Sequence, residues 1–129
     1  MKEAIIFLID DDSDDQEIFA LALEEVSPSY TCVIAKNGVE ALAKLRSGDV
    51  KPDYIFLDLN MPRMNGKQCL AEIKKETALK KIPVIIYSTS SESRHREQMI
   101  TMGASAFVTK PPLIPELIAS LKDVFDKLK

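Results

Sequence analysis

Hydrophobic residues fall in short unbroken runs along the chain, separated by polar or turn-forming residues. None of these runs alternates strictly between apolar and polar positions, which is the pattern of strands covered on both faces in a parallel sheet. One run is interrupted by Thr31 and suits an edge strand. The pattern predicts strands at residues 4–9, 30–35, 54–57, 84–87 and 106–108.

Segments with the helical spacing of apolar residues follow each predicted strand. Ser13 and Gln16 have the spacing of a capping box at the start of the first helix, and Pro115 suits the first turn of the last one. The segment around His95 has few apolar residues, so we expect its helix to be among the least stable elements. Five βα units predict an α/β domain with one doubly wound parallel sheet and helices on both faces.

The length, net charge and cysteine content of the chain limit the classes of protein to which it can belong. A chain of 129 residues suits one domain, so we expect a single domain over residues 1–129 without an output domain. The net charge of −3 gives no reason to expect nucleic acid or a membrane surface as a partner. Cys32 and Cys69 are too few for a disulfide framework, and the N-terminal apolar run is too short for a signal peptide. We therefore expect a cytoplasmic protein.

Chemically reactive side chains follow several predicted strands. Asp10 and Asp11 follow the first strand, Asp58 follows the third, and Lys110 follows the fifth. The fourth strand ends in hydroxyls that begin at Ser88. The carboxyl edge of an open parallel sheet is where ligands bind, so we expect these groups to meet if the first and third strands are neighbours.

Three carboxylates in one small volume repel each other unless a cation lies between them. Mg²⁺ prefers one or two carboxylates with waters and phosphate oxygens, which leaves room for a phosphoryl group. Asp58 stands alone at its strand end and is the best candidate for a nucleophile that forms an acyl phosphate, with Lys110 as a second positive charge. Taken singly, the acidic run could be a solvated helix start and Lys110 a surface lysine.

Four motifs in order resemble the receiver domain of two-component response regulators, across essentially the whole chain. They are "IDDDSDD", "PDYIFLDLNMPRMNG", "PVIIYSTS" and "GASAFVTKPP". The resemblance implies a flavodoxin-like five-stranded sheet of order 2-1-3-4-5. A weaker resemblance, through "DDDSDD" and "RSGDVKP", is to stand-alone regulators associated with phytochrome-type kinases.

The resemblance also implies roles for individual residues. Asp58 would accept the phosphoryl group, Asp11 would bind Mg²⁺ or Mn²⁺ directly, and Asp10 would act through water. Asn60 would contribute its main-chain carbonyl. Lys110 would pair with the phosphoryl oxygens, and its bond to Pro111 would be cis. Ser88 and Phe107 would form a switch in which the hydroxyl turns toward the phosphate and the ring follows inward.

The partners implied are a sensor histidine kinase and an unknown downstream protein, with the chain a monomer or a weak phosphorylation-dependent homodimer. The chain would catalyse only its own phosphorylation and dephosphorylation. One alternative stays inside this family: an intermediate that passes phosphate to a histidine phosphotransfer protein. Another is a pseudo-receiver that binds partners without phosphate, against which the intact acids and Lys110 argue. A phosphatase of the haloacid dehalogenase type is disfavoured because Asn60 stands where such enzymes have an acid.

Overall fold

The predicted alternation of strands and helices is present in a computed structural model, which describes residues 3–89 and 93–128 and, for residues 93 and 94, the backbone alone. The elements in chain order are β1 (Ala4–Ile9), α1 (Ser13–Val26), β2 (Tyr30–Ala35), α2 (Gly38–Ser47), β3 (Tyr54–Leu57), α3 (Gly66–Lys75), β4 (Val84–Ser88), α4 (Ser93–Thr101), β5 (Ala106–Thr109) and α5 (Ile114–Lys127).

All strand pairings are parallel, and the order across the sheet is β2-β1-β3-β4-β5. The predicted fold class and strand order are therefore confirmed, with β2 at an edge as its mixed composition indicated. The central neighbours β1 and β3 are in register from Ile6 opposite Tyr54 to Ile9 opposite Leu57. This pairing brings the carboxyl ends of the two strands to the same level.

The unbroken apolar runs are explained by a core on each face of the sheet. Along β1, Phe7 and Ile9 pack into a cluster with α2, α3 and α4, whereas Ile6 and Leu8 pack into a cluster with α1 and α5. All four of these side chains are fully buried. Both faces of the strand must therefore be apolar, which removes the alternation of a half-exposed strand.

The helix ends are set by local capping. Gly48 ends α2 in the left-handed conformation, at a φ of 82° that glycine adopts without steric cost. Asn65 and Gln68 form a capping box that starts α3. Within the described ranges, no helix combines the length and apolar character needed to cross a membrane.

Candidate functional site

The acids at the strand ends are held by the sheet itself. The backbone N–H of Asp58 donates to the carbonyl of Ile9 at 3.0 Å, and that of Asp10 donates to Ala35 at 3.0 Å. Each acid is thus tied by a hydrogen bond to a neighbouring strand end. The pleat of the central strands fixes where both side chains begin.

Asp10, Asp11 and Asp58 come together as the sequence predicted. One carboxylate oxygen from each residue can be chosen so that all three lie within 4.8 Å of one another. Asp10 is fully buried and Asp58 is 5% exposed, while Asp11 is exposed. An all-oxygen donor set with a partly open face suits a hard divalent cation that keeps several waters.

Lys110 contacts two acids of this carboxylate cluster, Asp10 and Asp58, and also Asp15. Its Nζ lies 2.9 Å from Asp10 Oδ2, 2.7 Å from Asp15 Oδ2 and 3.6 Å from Asp58 Oδ2. The Lys110 side chain is only 8% exposed, and its Nζ also lies 5.1 Å from the centroid of the Tyr87 ring. The ammonium therefore belongs to the site and does not point into bulk solvent.

The prediction of a cis peptide bond between Lys110 and Pro111 is wrong, because the described residues contain no cis peptide bond. An X–Pro bond intrinsically favours trans by about 0.5–1 kcal/mol. The backbone N–H of Lys110 donates to the carbonyl of Ser88 at 2.9 Å, and its side chain reaches the site with the trans bond in place.

The prediction that Ser13 is the N-cap in a capping box is also wrong, because the N-cap lies one residue earlier. Asp12 is the N-cap of α1, and its Oδ1 accepts from the backbone N–H groups of Asp14 at 2.8 Å and Asp15 at 3.1 Å. The Gln16 amide donates instead to the carbonyl of Asp10 at 2.7 Å. A carboxylate at this position also interacts favourably with the helix dipole, which explains why Asp12 takes the cap.

Asp15 is the site residue that sequence reasoning missed. It lies in the first turn of α1, and its carboxylate makes the shortest of the ion pairs described for Lys110. The signal was present as a fifth acid in "DDDSDD", yet its direction depends on where the helix begins. With the cap at Asp12, Asp15 turns toward Lys110.

Burial perturbs the acids and the lysine in a way that suits a reactive site. Desolvation raises the pKa of Asp58 from 3.8 to about 6, although the nearby charge of Lys110 opposes the shift. Desolvation likewise raises the pKa of Asp10. Burial would lower the pKa of Lys110, but hydrogen bonds to Asp15 and Asp10 outweigh it and raise that pKa. A cation near the acids would relieve the cost of ionising them.

Ser88 and Phe107 lie next to the site on neighbouring strands. Ser88 is the last residue of β4, which is one residue longer than the predicted strand, and it is fully buried. Phe107 is 7% exposed, and the Arg96 guanidinium carbon lies 5.2 Å from the centroid of its ring. Their joint role as a switch stays a prediction, and the part of the switch loop at residues 90–92 lies outside the described residues.

Asn60 lies in the loop after β3, two residues beyond Asp58. Its backbone N–H lies 3.3 Å from Asp58 Oδ1, to which it donates. This contact holds one carboxylate oxygen of Asp58 while the other faces Lys110. The predicted role of the Asn60 carbonyl as a metal ligand stays a prediction.

Gly66 lets this loop close against the strand end. A Cβ at this position would lie 2.2 Å from the carbonyl oxygen of Asp58 and 2.7 Å from Leu59 Cα. The Gly66 N–H donates to the Leu59 carbonyl at 3.0 Å. Only glycine permits this close approach, which is why the turn signature "MPRMNG" ends in one.

Comparison with known proteins places the sequence in a protein family. A family model of the response regulator receiver domain matches residues 6–122. The chain belongs to this family. The sensor histidine kinase CheAY of Helicobacter pylori is 33% identical over 110 residues, which are 85% of this chain. The chain spans 13% of the length of CheAY, so the similarity is to one part of that kinase.

Other similar proteins match the receiver domain over most of their length. Response regulator Rcp1 of Synechocystis sp. is 29% identical over 126 residues, covering 94% of this chain and 81% of Rcp1. The phosphorylated cyanobacterial phytochrome response regulator RcpA has a TM-score of 0.87 and 31% identity, covering 95% of this chain and 91% of its own. The Mn²⁺-bound form of Rcp1 has a TM-score of 0.84 and 26% identity, covering 94% and 91%. These relatives agree with the predicted likeness to stand-alone and phytochrome-associated regulators.

Proposed function

We propose that this receiver domain accepts a phosphoryl group on Asp58 from a phosphohistidine of a sensor histidine kinase. A carboxylate oxygen of Asp58 attacks the phosphorus, the phosphorus–nitrogen bond breaks, and the departing imidazole takes up a proton. The observation that carries the proposal is the meeting of Asp10, Asp11 and Asp58 with Lys110 at one edge of the sheet. Phosphoryl transfer needs such positioning and charge neutralisation more than covalent chemistry from the protein.

The donor set fits Mg²⁺ or Mn²⁺, because three carboxylate oxygens lie close together without nitrogen or sulfur ligands among them, and one of the acids, Asp11, is exposed to solvent. Asp10, Asp11, Asp58 and the Asn60 carbonyl would hold the ion, which would neutralise negative charge on the transferring phosphoryl group. The Mn²⁺-bound form of the relative Rcp1 supports this assignment. Lys110 would add a second positive charge beside Asp58, from whose Oδ2 its Nζ lies 3.6 Å away.

The new phosphoryl group would then change a partner-binding surface. Phosphorylation adds negative charge and acceptor oxygens that draw the Ser88 hydroxyl and Lys110. Movement of Ser88 would shift the start of α4, whose one fully packed apolar side chain among the described residues of the helix is Met99. The Phe107 ring lies 5.2 Å from the Arg96 guanidinium carbon, so the ring and the guanidinium would relay this shift to the exposed face of α4 and β5.

The remaining assignments follow from this proposal. The chain catalyses only its own phosphorylation and dephosphorylation, its upstream partner is a sensor histidine kinase, and its downstream partner is a protein. The relation to the kinase CheAY supports a place in two-component signalling. A cytoplasmic location stays a prediction.

Phosphotransfer assays on the wild type and Asp58→Asn test the proposal. Labelled phosphate from an autophosphorylated histidine kinase should be transferred to the wild type in the presence of Mg²⁺. No transfer should occur when chelator replaces Mg²⁺. Asp58→Asn should stay unlabelled, whereas Asp123→Asn, an exposed position on α5, should label like the wild type. Equal labelling of wild type and Asp58→Asn rejects the assignment.

A further inference from the structure

Asp15 makes a contact with Lys110 that the proposed reaction has not used. Its Oδ2 lies 2.7 Å from Lys110 Nζ, closer than Asp10 at 2.9 Å and much closer than Asp58 at 3.6 Å. We propose that Asp15 is a positioning residue for phosphorylation of Asp58: together with Asp10 it holds the Lys110 ammonium so that one N–H is left for the phosphoryl group. This inference rests on the proposed function.

The donor count of the ammonium supports this role. A lysine ammonium has three N–H donors, of which Asp10 and Asp15 accept two. The nearest further acceptor among its described ion pairs is Asp58, which at 3.6 Å is too distant for a hydrogen bond. A phosphoryl oxygen carried on Asp58 would lie within reach of the third N–H, which could bond to it without displacing the first two.

Asp15 itself is held on a rigid support. Its backbone N–H donates to Asp12 Oδ1 at 3.1 Å, as part of the cap that starts α1. The Asp15 side chain is 31% exposed, whereas that of Lys110 is 8% exposed, so Asp15 lies at the rim and Lys110 within. A lysine side chain has a flexible four-carbon stem. Holding its ammonium group in place before the reaction removes part of the entropic cost of reaching the transition state.

An opposing interpretation makes the reverse prediction. If Asp15 competed with the phosphoryl group for Lys110, removing its charge would release the ammonium and accelerate phosphorylation. If Asp15 positions Lys110, removing it slows phosphorylation, and a neutral side chain that still accepts a hydrogen bond restores the rate. The sign of the effect and the response to Asn therefore separate the two interpretations.

The test compares Asp15→Ala and Asp15→Asn with the wild type in single-turnover phosphorylation by acetyl phosphate. Rates are measured over a series of Mg²⁺ concentrations, so that the rate at saturation is separated from metal affinity. Asp14→Ala and Asp14→Asn are matched controls, because Asp14 is an exposed acid in the same helix turn. Circular dichroism and thermal unfolding establish that each variant is folded.

At saturating Mg²⁺ we expect Asp15→Ala to react about tenfold more slowly, as for the loss of a hydrogen bond to a charged group. Asp15→Asn should recover most of this loss, and both Asp14 variants should match the wild type. An Asp15→Ala rate equal to or above the wild type overturns the proposal. An Asn variant as slow as the Ala variant also overturns it.

A spectroscopic measurement observes the positioning directly. In a ¹⁵N-lysine-labelled sample, a held ammonium exchanges its protons slowly and gives a resonance, which Lys110→Met assigns by its loss. We expect this resonance in the wild type and Asp15→Asn but not in Asp15→Ala; its persistence in Asp15→Ala overturns the proposal. Failure of the wild type to become phosphorylated would refute the proposed function and this role together, whereas normal phosphorylation of Asp15→Ala would refute this role alone.

Discussion

Asp58→Asn should stabilise the metal-free protein at neutral pH, although it removes the residue on which the proposed chemistry depends. Asp58 is 5% exposed, and desolvation raises its pKa from 3.8 to about 6. Keeping this carboxyl ionised at pH 7.5 therefore costs the folded state about 3 kcal/mol. The isosteric amide carries no charge and retains an oxygen that can accept from the Asn60 N–H.

The pH dependence follows from the sign of the shift. The folded state binds the Asp58 proton more tightly than the unfolded state does. Proton binding to Asp58 therefore stabilises the fold fully below the unfolded pKa, near 3.8, and this stabilisation is lost as the pH rises through about 6. Wild type and Asp58→Asn should therefore have similar stabilities at pH 3.5, and the variant should be more stable by up to about 3 kcal/mol at pH 7.5.

Urea unfolding in the presence of EDTA at both pH values measures this difference. Asp123→Asn is the matched control, because its exposed ion pair with Lys127 should contribute at most about 0.5 kcal/mol. Added Mg²⁺ should stabilise the wild type more than Asp58→Asn, since the ion compensates the charge that the variant lacks. An Asn variant no more stable than the wild type at pH 7.5 in EDTA would refute the reasoning.

Three further variants test how the site is built. Gly66→Ala should lose about 3 kcal/mol in urea unfolding, because its Cβ would meet the Asp58 carbonyl oxygen at 2.2 Å; unchanged stability would contradict the close approach. Lys110→Met should lose about 3 kcal/mol at pH 7.5 and less at pH 4, which is below the pKa of about 6 of Asp58; a pH-independent loss would contradict the ion pair with Asp58. Arg96→Gln should lose about 0.5–1 kcal/mol in urea unfolding, and no loss in a Phe107→Leu background would support their contact.

The strands could be predicted from the sequence because both faces of the sheet are covered. Ile6 and Phe7 are adjacent and point to opposite cores, yet both are fully buried, so the run is apolar without interruption. The order of the strands in the sheet could not be predicted from these runs, because all of them are short, apolar and similar in composition. It came from the resemblance to receiver domains, which the pairing of β1 with β2 and β3 confirms.

The site was predictable as far as backbone position determines it. Asp10 and Asp58 follow paired strand residues, so parallel pairing alone brings them together. Asp15 was missed because the direction of a side chain in a first helical turn changes by about 100° when the helix start moves by one residue. Asp12 takes the cap that the sequence pattern assigned to Ser13, and this single-residue difference turns Asp15 toward Lys110.

The most direct test of the account is to identify the phosphorylated atom. The protein is incubated with Mg²⁺ and acetyl phosphate, and borohydride then reduces any acyl phosphate to an alcohol, which converts a phosphoaspartate into homoserine. The account predicts homoserine at position 58 by peptide mass spectrometry, and none when chelator replaces Mg²⁺. Homoserine at another aspartate, or an unreduced Asp58 in protein that has taken up phosphate, would contradict it.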